Sequence, residues 1–288
     1  MPGVRLLLAC LRLSSKLPYR AQMSMGSVAG RIIRIFARNR RTIAARNLEL
    51  CFPEMSDAQR KQYLNEHFAS LGRALFEAGL AYFAPDERLR SLSQVNGLDN
   101  LQHALSYGHG AILVAAHFTS MELCGRLLGL EADYDAVIRP FSNPDIDAIV
   151  HEGRHRAARR VIPKKSFKQF LKGLQANRAI LITVDQATTA SNKVMAPFFG
   201  VPAATSINAA RIAQNTGAAV LPVLWLRAPD LSGYRVEIGA ALTDFPSGNA
   251  MNDACTLNAL VEDQILEAPE QYYWIHRRFK NEPSPYDD

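Results

Sequence analysis

The sequence predicts an α/β protein with a mostly parallel central sheet flanked by helices, preceded by a helical N-terminal extension. Two observations predict the sheet: from about residue 94 short apolar runs alternate with helical patterns, and the runs are apolar at successive positions. Strands buried on both faces by intervening helices have this pattern, and they form parallel sheets. A third observation separates the extension, because residues 1–50 hold ten basic side chains and one acid, Glu49.

The composition of the 288 residues is that of a folded domain, with 48% hydrophobic and 21% charged residues. The formal net charge is +6, and since the first 50 residues carry +9, the other 238 carry −3. The positive charge therefore belongs to the extension, and residues 51–288 are predicted to form a single, nearly neutral α/β domain. We expect no nucleic-acid partner.

The sequence carries no common metal motif. Its four cysteines are scattered without a CxxC pair, which argues against a disulfide framework or a zinc knuckle and fits a reducing compartment. An HExxH sequence and the glycine-rich phosphate and dinucleotide loops are absent as well. His151 and His155 have helical spacing without a third ligand nearby, so we predict no metal site.

The first element is a short apolar run, "VRLLLACLRLSSKLP", with a core of about ten residues, whereas a membrane-spanning helix takes about 20. Arg12 interrupts the run and no clean cleavage site precedes Pro18, so we interpret it as a retained segment rather than a signal peptide. Residues 22–45 then form a predicted amphipathic helix, with aliphatics on one side and arginines on the other. Such a helix suits an anionic membrane surface, although a solvated basic face is the plain alternative. We predict that residues 1–50 are membrane-associating helices.

A second helix is predicted over 56–85, with Ser56 and Gln59 as a capping box and Pro85 as its end. Its core stripe is Leu64, Phe68, Leu71, Leu75 and Tyr82. The predicted strands that follow are 111–117, 135–139, 179–185, 218–227 and 234–239, and the predicted helices are 98–107, 119–129, 144–158, 166–176, 205–216 and 252–267.

Polar side chains end three of these strands: His117, Arg139 and Asp185. Ligands of open α/β sheets bind beyond the carboxyl ends of the strands, so these side chains should converge on one edge. Glu122 follows His117 at His-x4-Glu spacing, and its carboxylate could hold one imidazole nitrogen while the other acts as a base. The alternatives are structural: Thr119 and Glu122 also fit a capping box, and His117 alone could be a satisfied buried histidine. Because no GxSxG-like nucleophile is present, the attacking oxygen should belong to the substrate.

Arginines and lysines form a basic sector after this pair. Guanidinium groups suit bidentate phosphate binding, and Arg139 and Arg154 are the best candidates for it. For Arg156, Arg159 and Arg160 a solvated helix face is the simpler interpretation.

Five segments, taken in order, resemble the late acyltransferases of lipid A biosynthesis, a branch of the His-x4-Asp/Glu glycerolipid acyltransferases: "AAHFTSMELCG", "VIRPFSNPDIDAIVHEGR", "ITVDQ", "APFFGVPAATS" and "APEQYYWIHRRFK". The resemblance covers nearly the whole chain. It implies that His117 is the general base, that Glu122 orients it, and that Asp185 orders the site. Arg139 and Arg154 would bind phosphate or the developing oxyanion. Asn143 matches the Asn-Pro-x-x-Asp pattern, as a candidate substrate-binding residue or, more simply, as scaffolding.

The resemblance also implies the partners. An acyl-acyl carrier protein thioester would donate the acyl group to a hydroxyl on an acyl chain of a lipid A precursor, with no cofactor. The enzyme would lie on the cytoplasmic face of the inner membrane, attached peripherally or monotopically by its N-terminal helical membrane-associating extension. Three rival interpretations stay open: the same chemistry on a lysophospholipid or another glycolipid, a non-catalytic membrane scaffold, and a hydrolase that activates water.

Overall fold

The computed structural model describes residues 2–188, 191–280 and 284–286, without the side chains of residues 2–5 and 7. The helices in this part of the chain are α1 (Pro2–Ser14), α2 (Tyr19–Phe36), α3 (Arg38–Cys51), α4 (Asp57–Phe83), α5 (Asp86–Arg90), α6 (Leu98–Ser106), α7 (Met121–Leu128), α8 (Pro144–Ala157), α9 (Phe167–Gln175), α10 (Asn208–Thr216) and α11 (Ala250–Glu267). The strands are β1 (Ser93–Asn96), β2 (Ala111–Ala115), β3 (Tyr134–Ile138), β4 (Arg160–Pro163), β5 (Ala179–Thr183), β6 (Lys193–Phe198), β7 (Val201–Ser206), β8 (Ala219–Arg227) and β9 (Tyr234–Ile238).

Seven strands form the central sheet, in the order β1-β9-β8-β2-β5-β3-β4. From β8 to β4 every neighbouring pair is parallel, and β8 pairs antiparallel with β9, which carries β1 parallel to itself. The predicted fold class, a mostly parallel sheet flanked by helices, is confirmed. The five parallel strands direct their carboxyl ends to one edge, so side chains that follow β2, β5 and β3 meet there.

The apolar runs form the central strands, because the helices that cover the sheet shield the side chains of these strands from water. All five residues of β2 are buried, and it lies between β5 and β8. Sequence reasoning missed β1 and β4, which are short edge strands with polar residues, and the β6–β7 hairpin outside the main sheet. Each of its two strands contains a proline, a residue typical of loops, and the hairpin turns at Phe199 and Gly200, both with positive φ.

The predicted helix over residues 22–45 is two helices, because the backbone leaves the helical conformation at Ala37 (φ −84°, ψ 54°). The face of α2 that packs on the protein is neither the aliphatic nor the basic side but a third one, with Met23, Gly26 and Gly30 buried. A Cβ on Gly30 would lie 2.0 Å from the carbonyl oxygen of Phe68 in α4. Glycines therefore let the α2 and α4 backbones come into direct contact, which leaves the aliphatic side of α2 exposed.

The N-terminal helices contribute to the core of the protein. Ala44 and Leu48 of α3 are buried in the main hydrophobic cluster, and the predicted boundary between residues 50 and 51 falls inside this helix. In α4 the predicted capping box is present: the Ser56 side chain accepts from the Gln59 N–H, and the Gln59 side chain accepts from the Ser56 N–H. Leu75, predicted as a core residue, is exposed.

Candidate active site

His117 and Asp185 are in direct contact at the carboxyl edge of the sheet. They follow β2 and β5, which are parallel neighbours, so the two strand ends lie side by side. The His117 Nδ1 is 2.7 Å from the Asp185 Oδ1, and the His117 backbone N–H donates to the other carboxylate oxygen over 3.1 Å. Both oxygens of one carboxylate thus hold one residue, and the predicted convergence of these two side chains is confirmed.

The environment keeps Asp185 ionised. Its side chain is 1% exposed, and burial alone would raise its pKa, but the charge of His117 and the two hydrogen bonds from His117 outweigh burial and lower the pKa of Asp185. A carboxylate can only accept, so the imidazole donates from Nδ1, and in its neutral form it presents Nε2 as the acceptor. With 19% of its side chain exposed, His117 is open to a substrate on one side. This geometry fits a general base.

The Glu122 carboxylate contacts groups other than His117, so in the described structure no hydrogen bond supports the predicted orientation of His117 by Glu122. Its carboxylate receives the Arg154 guanidinium, with Nε 3.1 Å from Oε1 and 3.2 Å from Oε2 and with Nη2 also bonded to Oε1. The Tyr82 hydroxyl donates to Oε2 over 3.0 Å. A guanidinium that binds a carboxylate through two N–H groups makes a stronger contact than a neutral imidazole does. Arg154 of α8 and Tyr82 of α4 therefore occupy both oxygens of Glu122.

The same ion pair fixes the charge of Arg154. Burial lowers the pKa of the Arg154 guanidinium, but the adjacent Glu122 carboxylate more than compensates, and the net pKa is raised. The alternative capping box at the start of α7 is absent, because α7 begins at Met121 after Ser120, which makes no side-chain capping bond. The Thr119 hydroxyl instead pairs with that of Ser70 in α4, over 2.7 Å.

The loop from 116 to 120, which carries His117, is held along its length. Trp225 Nε1 donates to the Ala116 carbonyl over 2.8 Å, and the Ser120 hydroxyl donates to the Trp225 carbonyl. From the other side, the Thr119 N–H donates to the Gln271 carbonyl over 2.7 Å, and the Tyr273 N–H donates to the His117 carbonyl over 2.9 Å. His117 is therefore held in place by β8 and by the C-terminal segment.

Sequence reasoning missed the residues of this C-terminal segment that line the site. The ring of Tyr273 lies 6.5 Å from that of His117, centre to centre. Farther along, burial and then the charge of Lys280 lower the pKa of His276 to about 4, so this second imidazole is neutral at physiological pH. The signal was present, since "YYWIHRRFK" was one of the segments behind the resemblance, but spacing along the chain gave no reason to place it beside residue 117.

The predicted substrate-binding residues have separate positions. Arg139 directly follows β3 at the same sheet edge and is exposed. Arg154 forms an ion pair with Glu122. Asn143 caps α8, because its side-chain oxygen accepts from the N–H groups of Asp145 and Ile146, so its visible role is the scaffolding one. Within the described ranges, no cluster of three or more His, Cys, Asp or Glu side chains has the geometry of a metal site.

The chain matches the family of bacterial lipid A biosynthesis acyltransferases over residues 3–281. It is 37% identical to the lipid A biosynthesis palmitoleoyltransferase of Escherichia coli (strain K12), over 96% of this chain and 90% of that protein. It is 34% identical to the lipid A biosynthesis lauroyltransferase of the same strain, over 93% and 88% of the two chains. A lipid A biosynthesis acyltransferase of Haemophilus influenzae is 36% identical over 85% of this chain and 78% of its own length.

The fold is an α/β sheet, and a histidine bonded to an aspartate lies at the edge where its parallel strands end. The family match covers most of the same chain. The protein belongs to the bacterial lipid A biosynthesis acyltransferases, as the resemblance of its sequence segments predicted. It is an enzyme that transfers an acyl group to a lipid A precursor in the late steps of lipid A biosynthesis.

Proposed function

We propose that the enzyme transfers a fatty acyl group from an acyl-acyl carrier protein thioester to a hydroxyl on an acyl chain of the lipid A precursor, with His117 as the general base. The observation that carries this proposal is the contact between His117 Nδ1 and Asp185, which leaves Nε2 as a proton acceptor at an accessible sheet edge. A histidine that can take the proton of a hydroxyl suits direct attack by the acceptor on a thioester.

In the proposed reaction, His117 Nε2 removes the proton from the acceptor hydroxyl as its oxygen attacks the thioester carbonyl. The carbon–oxygen bond forms, and negative charge develops on the carbonyl oxygen. When the tetrahedral intermediate collapses, the carbon–sulfur bond breaks and the thiolate takes the proton from the His117 imidazolium. The products are an ester and the free thiol of the carrier. Asp185 stabilises the imidazolium throughout, because its carboxylate faces Nδ1.

Glu122 and Arg154 have a different task in this proposal. Their ion pair joins α7, which follows the base, to α8, which follows the loop of Arg139. It therefore sets the position of the sheet edge where the substrates meet. Arg139, exposed at the end of β3, is the proposed contact for a phosphate or for the oxyanion. Asn143 supports this region as a helix cap and is not proposed to touch substrate. No metal or organic cofactor enters the proposed reaction.

We also propose peripheral or monotopic attachment to the cytoplasmic face of the inner membrane. The outward side of α2 consists of exposed apolar side chains, Met25, Val28, Ile32, Ile35 and Phe36, the last of which is 81% exposed. Apolar surface of this extent on a helix with flanking arginines suits the interface of an anionic bilayer. None of the helices in the described part of the chain combines the length and the hydropathy needed to cross a bilayer.

The test is the transfer of radiolabelled acyl groups from acyl carrier protein to a tetra-acylated lipid A precursor. Wild type and a folded His117→Ala variant are each assayed with and without acceptor. Acceptor-dependent ester formation that disappears in the variant would support the proposal. Release of free fatty acid that is unaffected by acceptor would favour a hydrolase, and full activity of His117→Ala would remove His117 from the mechanism.

A further inference from the structure

Arg40 has a guanidinium group that is held in place but has no acidic partner. It lies in the first turn of α3 and is exposed, and its Nη1 donates to the backbone carbonyl of Ile275 over 3.1 Å. No carboxylate among the described residues forms an ion pair with it. A guanidinium has five N–H donors, so several of those on Arg40 stay available for an anion.

The contact with Ile275 places Arg40 on the C-terminal segment that is bonded to the proposed base. The Tyr273 N–H donates to the His117 carbonyl, and Asn47 of α3 holds the Trp274 and His276 carbonyls over 2.6 and 2.8 Å. The segment from 273 to 276 is thus fixed between α3 and the catalytic loop. Electrostatics agree with this placement, since the positive charge of Arg40 counteracts the rise that burial causes in the pKa of Tyr273.

Lys280 adds a second positive charge beside the segment from 273 to 276. It is exposed, has no acidic partner in the described part of the chain, and lies close enough to His276 to lower the pKa of that residue after burial. Two other basic residues of this region do have acidic partners: Arg46 pairs with Glu49 over 2.7 Å, and Arg60 with Asp57 over 2.6 Å. Arg40 and Lys280 therefore both lie along the C-terminal segment that contacts the His117 loop.

Helix stability does not explain Arg40. The first turn of α3 holds no acidic residue, and cations at a helix N-terminus are disfavoured by the helix dipole. Its neighbour Arg41 does have a structural contact, because Nη1 of Arg41 donates to the Arg34 carbonyl over 3.1 Å. Arg40 makes one hydrogen bond, through Nη1, so its other N–H groups have no partner among the described residues.

We propose that Arg40, together with Lys280, binds a phosphate group on the headgroup of the lipid acceptor. The lipid is favoured over the carrier because the exposed apolar side of α2 ends at Phe36, four positions before Arg40. Acyl chains packed against Phe36 would place the headgroup phosphate within reach of Arg40 and Lys280. This inference rests on the proposed function, since it names a contact of the same acceptor.

The experiment measures binding and turnover separately, with a phosphorylated tetra-acylated acceptor and with the same lipid after phosphatase treatment. Binding is measured without donor, in detergent micelles, on His117→Ala protein with and without Arg40→Ala. The Michaelis constants for acceptor and donor are then measured on the active enzyme and its Arg40→Ala variant. Arg159→Ala is the control, because Arg159 is an exposed arginine with a weak pair to Asp133 at the opposite sheet edge.

We expect Arg40→Ala to weaken binding of the phosphorylated lipid about tenfold or more, with a matching rise in its Michaelis constant, little change in kcat and no effect on the dephosphorylated lipid. Arg159→Ala should behave as wild type. An equal loss with both lipids would mean that Arg40 only supports the loop, and a rise confined to the donor would assign the phosphate to the carrier. Either result, or no change at all, overturns the inference. Lipid binding without any turnover in the wild type would instead count against the proposed function.

Discussion

The two carboxylates of the site predict different outcomes for two isosteric substitutions. In Asp185→Asn the group that faces His117 Nδ1 loses its charge, whereas in Glu122→Gln the group that faces Arg154 does. If Asp185 is the orienting carboxylate, the first substitution should abolish most of the turnover and the second should mainly affect stability. If the His-x4-Glu spacing reports a catalytic dyad, the order should be the reverse.

The geometry gives the magnitudes. A charge pair at about 4 Å contributes about 4 kcal/mol at an effective dielectric constant of 20, which corresponds to about 10³-fold in kcat when the imidazolium forms. The orienting aspartate of a Ser-His-Asp triad has an effect of about 10⁴-fold, so this value is within the known range. Glu122 and Arg154 are 22% and 17% exposed, so we expect Glu122→Gln to lower the free energy of unfolding by about 1–2 kcal/mol. Its kcat should fall less than about tenfold.

The assay is steady-state acyl transfer with both variants, paired with urea unfolding to verify that each protein is folded. Arg154→Gln is the matched third variant, since it removes the other half of the same ion pair and should resemble Glu122→Gln. A folded Glu122→Gln enzyme that loses about 10³-fold in kcat, beside a nearly active Asp185→Asn enzyme, would refute the assignment of Asp185.

Three further predictions concern the helical extension and the core. Phe36→Asp should weaken binding to anionic vesicles about 30-fold, from a loss of about 2 kcal/mol of apolar burial, whereas the control Tyr107→Asp, exposed on α6's C-terminal end, should bind as wild type. Gly72→Ala should lower the free energy of unfolding by about 2 kcal/mol or more, because its Cβ would lie 2.0 Å from a carbonyl oxygen of α2, and urea unfolding should show no such loss in Ser24→Ala. Burial lowers the pKa of His67 to about 4, so only the unfolded chain takes up its proton as the pH falls from 6.5 to 4. Over that range the free energy of unfolding of the wild type should fall by about 3 kcal/mol because of His67, and that of His67→Leu should not show this loss. Equal pH dependence of the free energy of unfolding in the two proteins would refute this.

The parallel sheet could be predicted from the sequence because its signal is local. Each buried strand is a continuous apolar run, and a polar residue at its end marks the edge where ligands bind. This was enough to bring His117 and Asp185 together, since β2 and β5 are neighbours. It was not enough for Glu122: the His-x4-Glu spacing allowed a contact, but the partner that took the carboxylate is Arg154, 32 positions away on another helix.

The orientation of α2 shows the same limit. Helical periodicity separated an aliphatic side from a basic side, which together suggested a membrane surface, but it gave no sign of the third side that packs on α4. Here the close approach to α4 selected the glycines instead, because only residues without a side chain let the two backbones touch. Periodicity identifies the faces of a helix, but the depth of the opposing groove decides which one is buried.

A buried polar network connects this extension to the catalytic loop. Tyr19, at the start of α2, stacks edge-on against Tyr234, whose hydroxyl donates to Glu77 over 2.7 Å. Glu77 also binds Arg227, whose Nη1 donates to the Ser70 hydroxyl over 3.0 Å, and Ser70 in turn pairs with Thr119, two residues after His117. Two buried charges are costly to desolvate, and a hydrophobic pair would often be as stable. What the charges add is directionality, because each bond has a fixed partner and angle, so the N-terminal helices and the loop that carries His117 are held in one geometry.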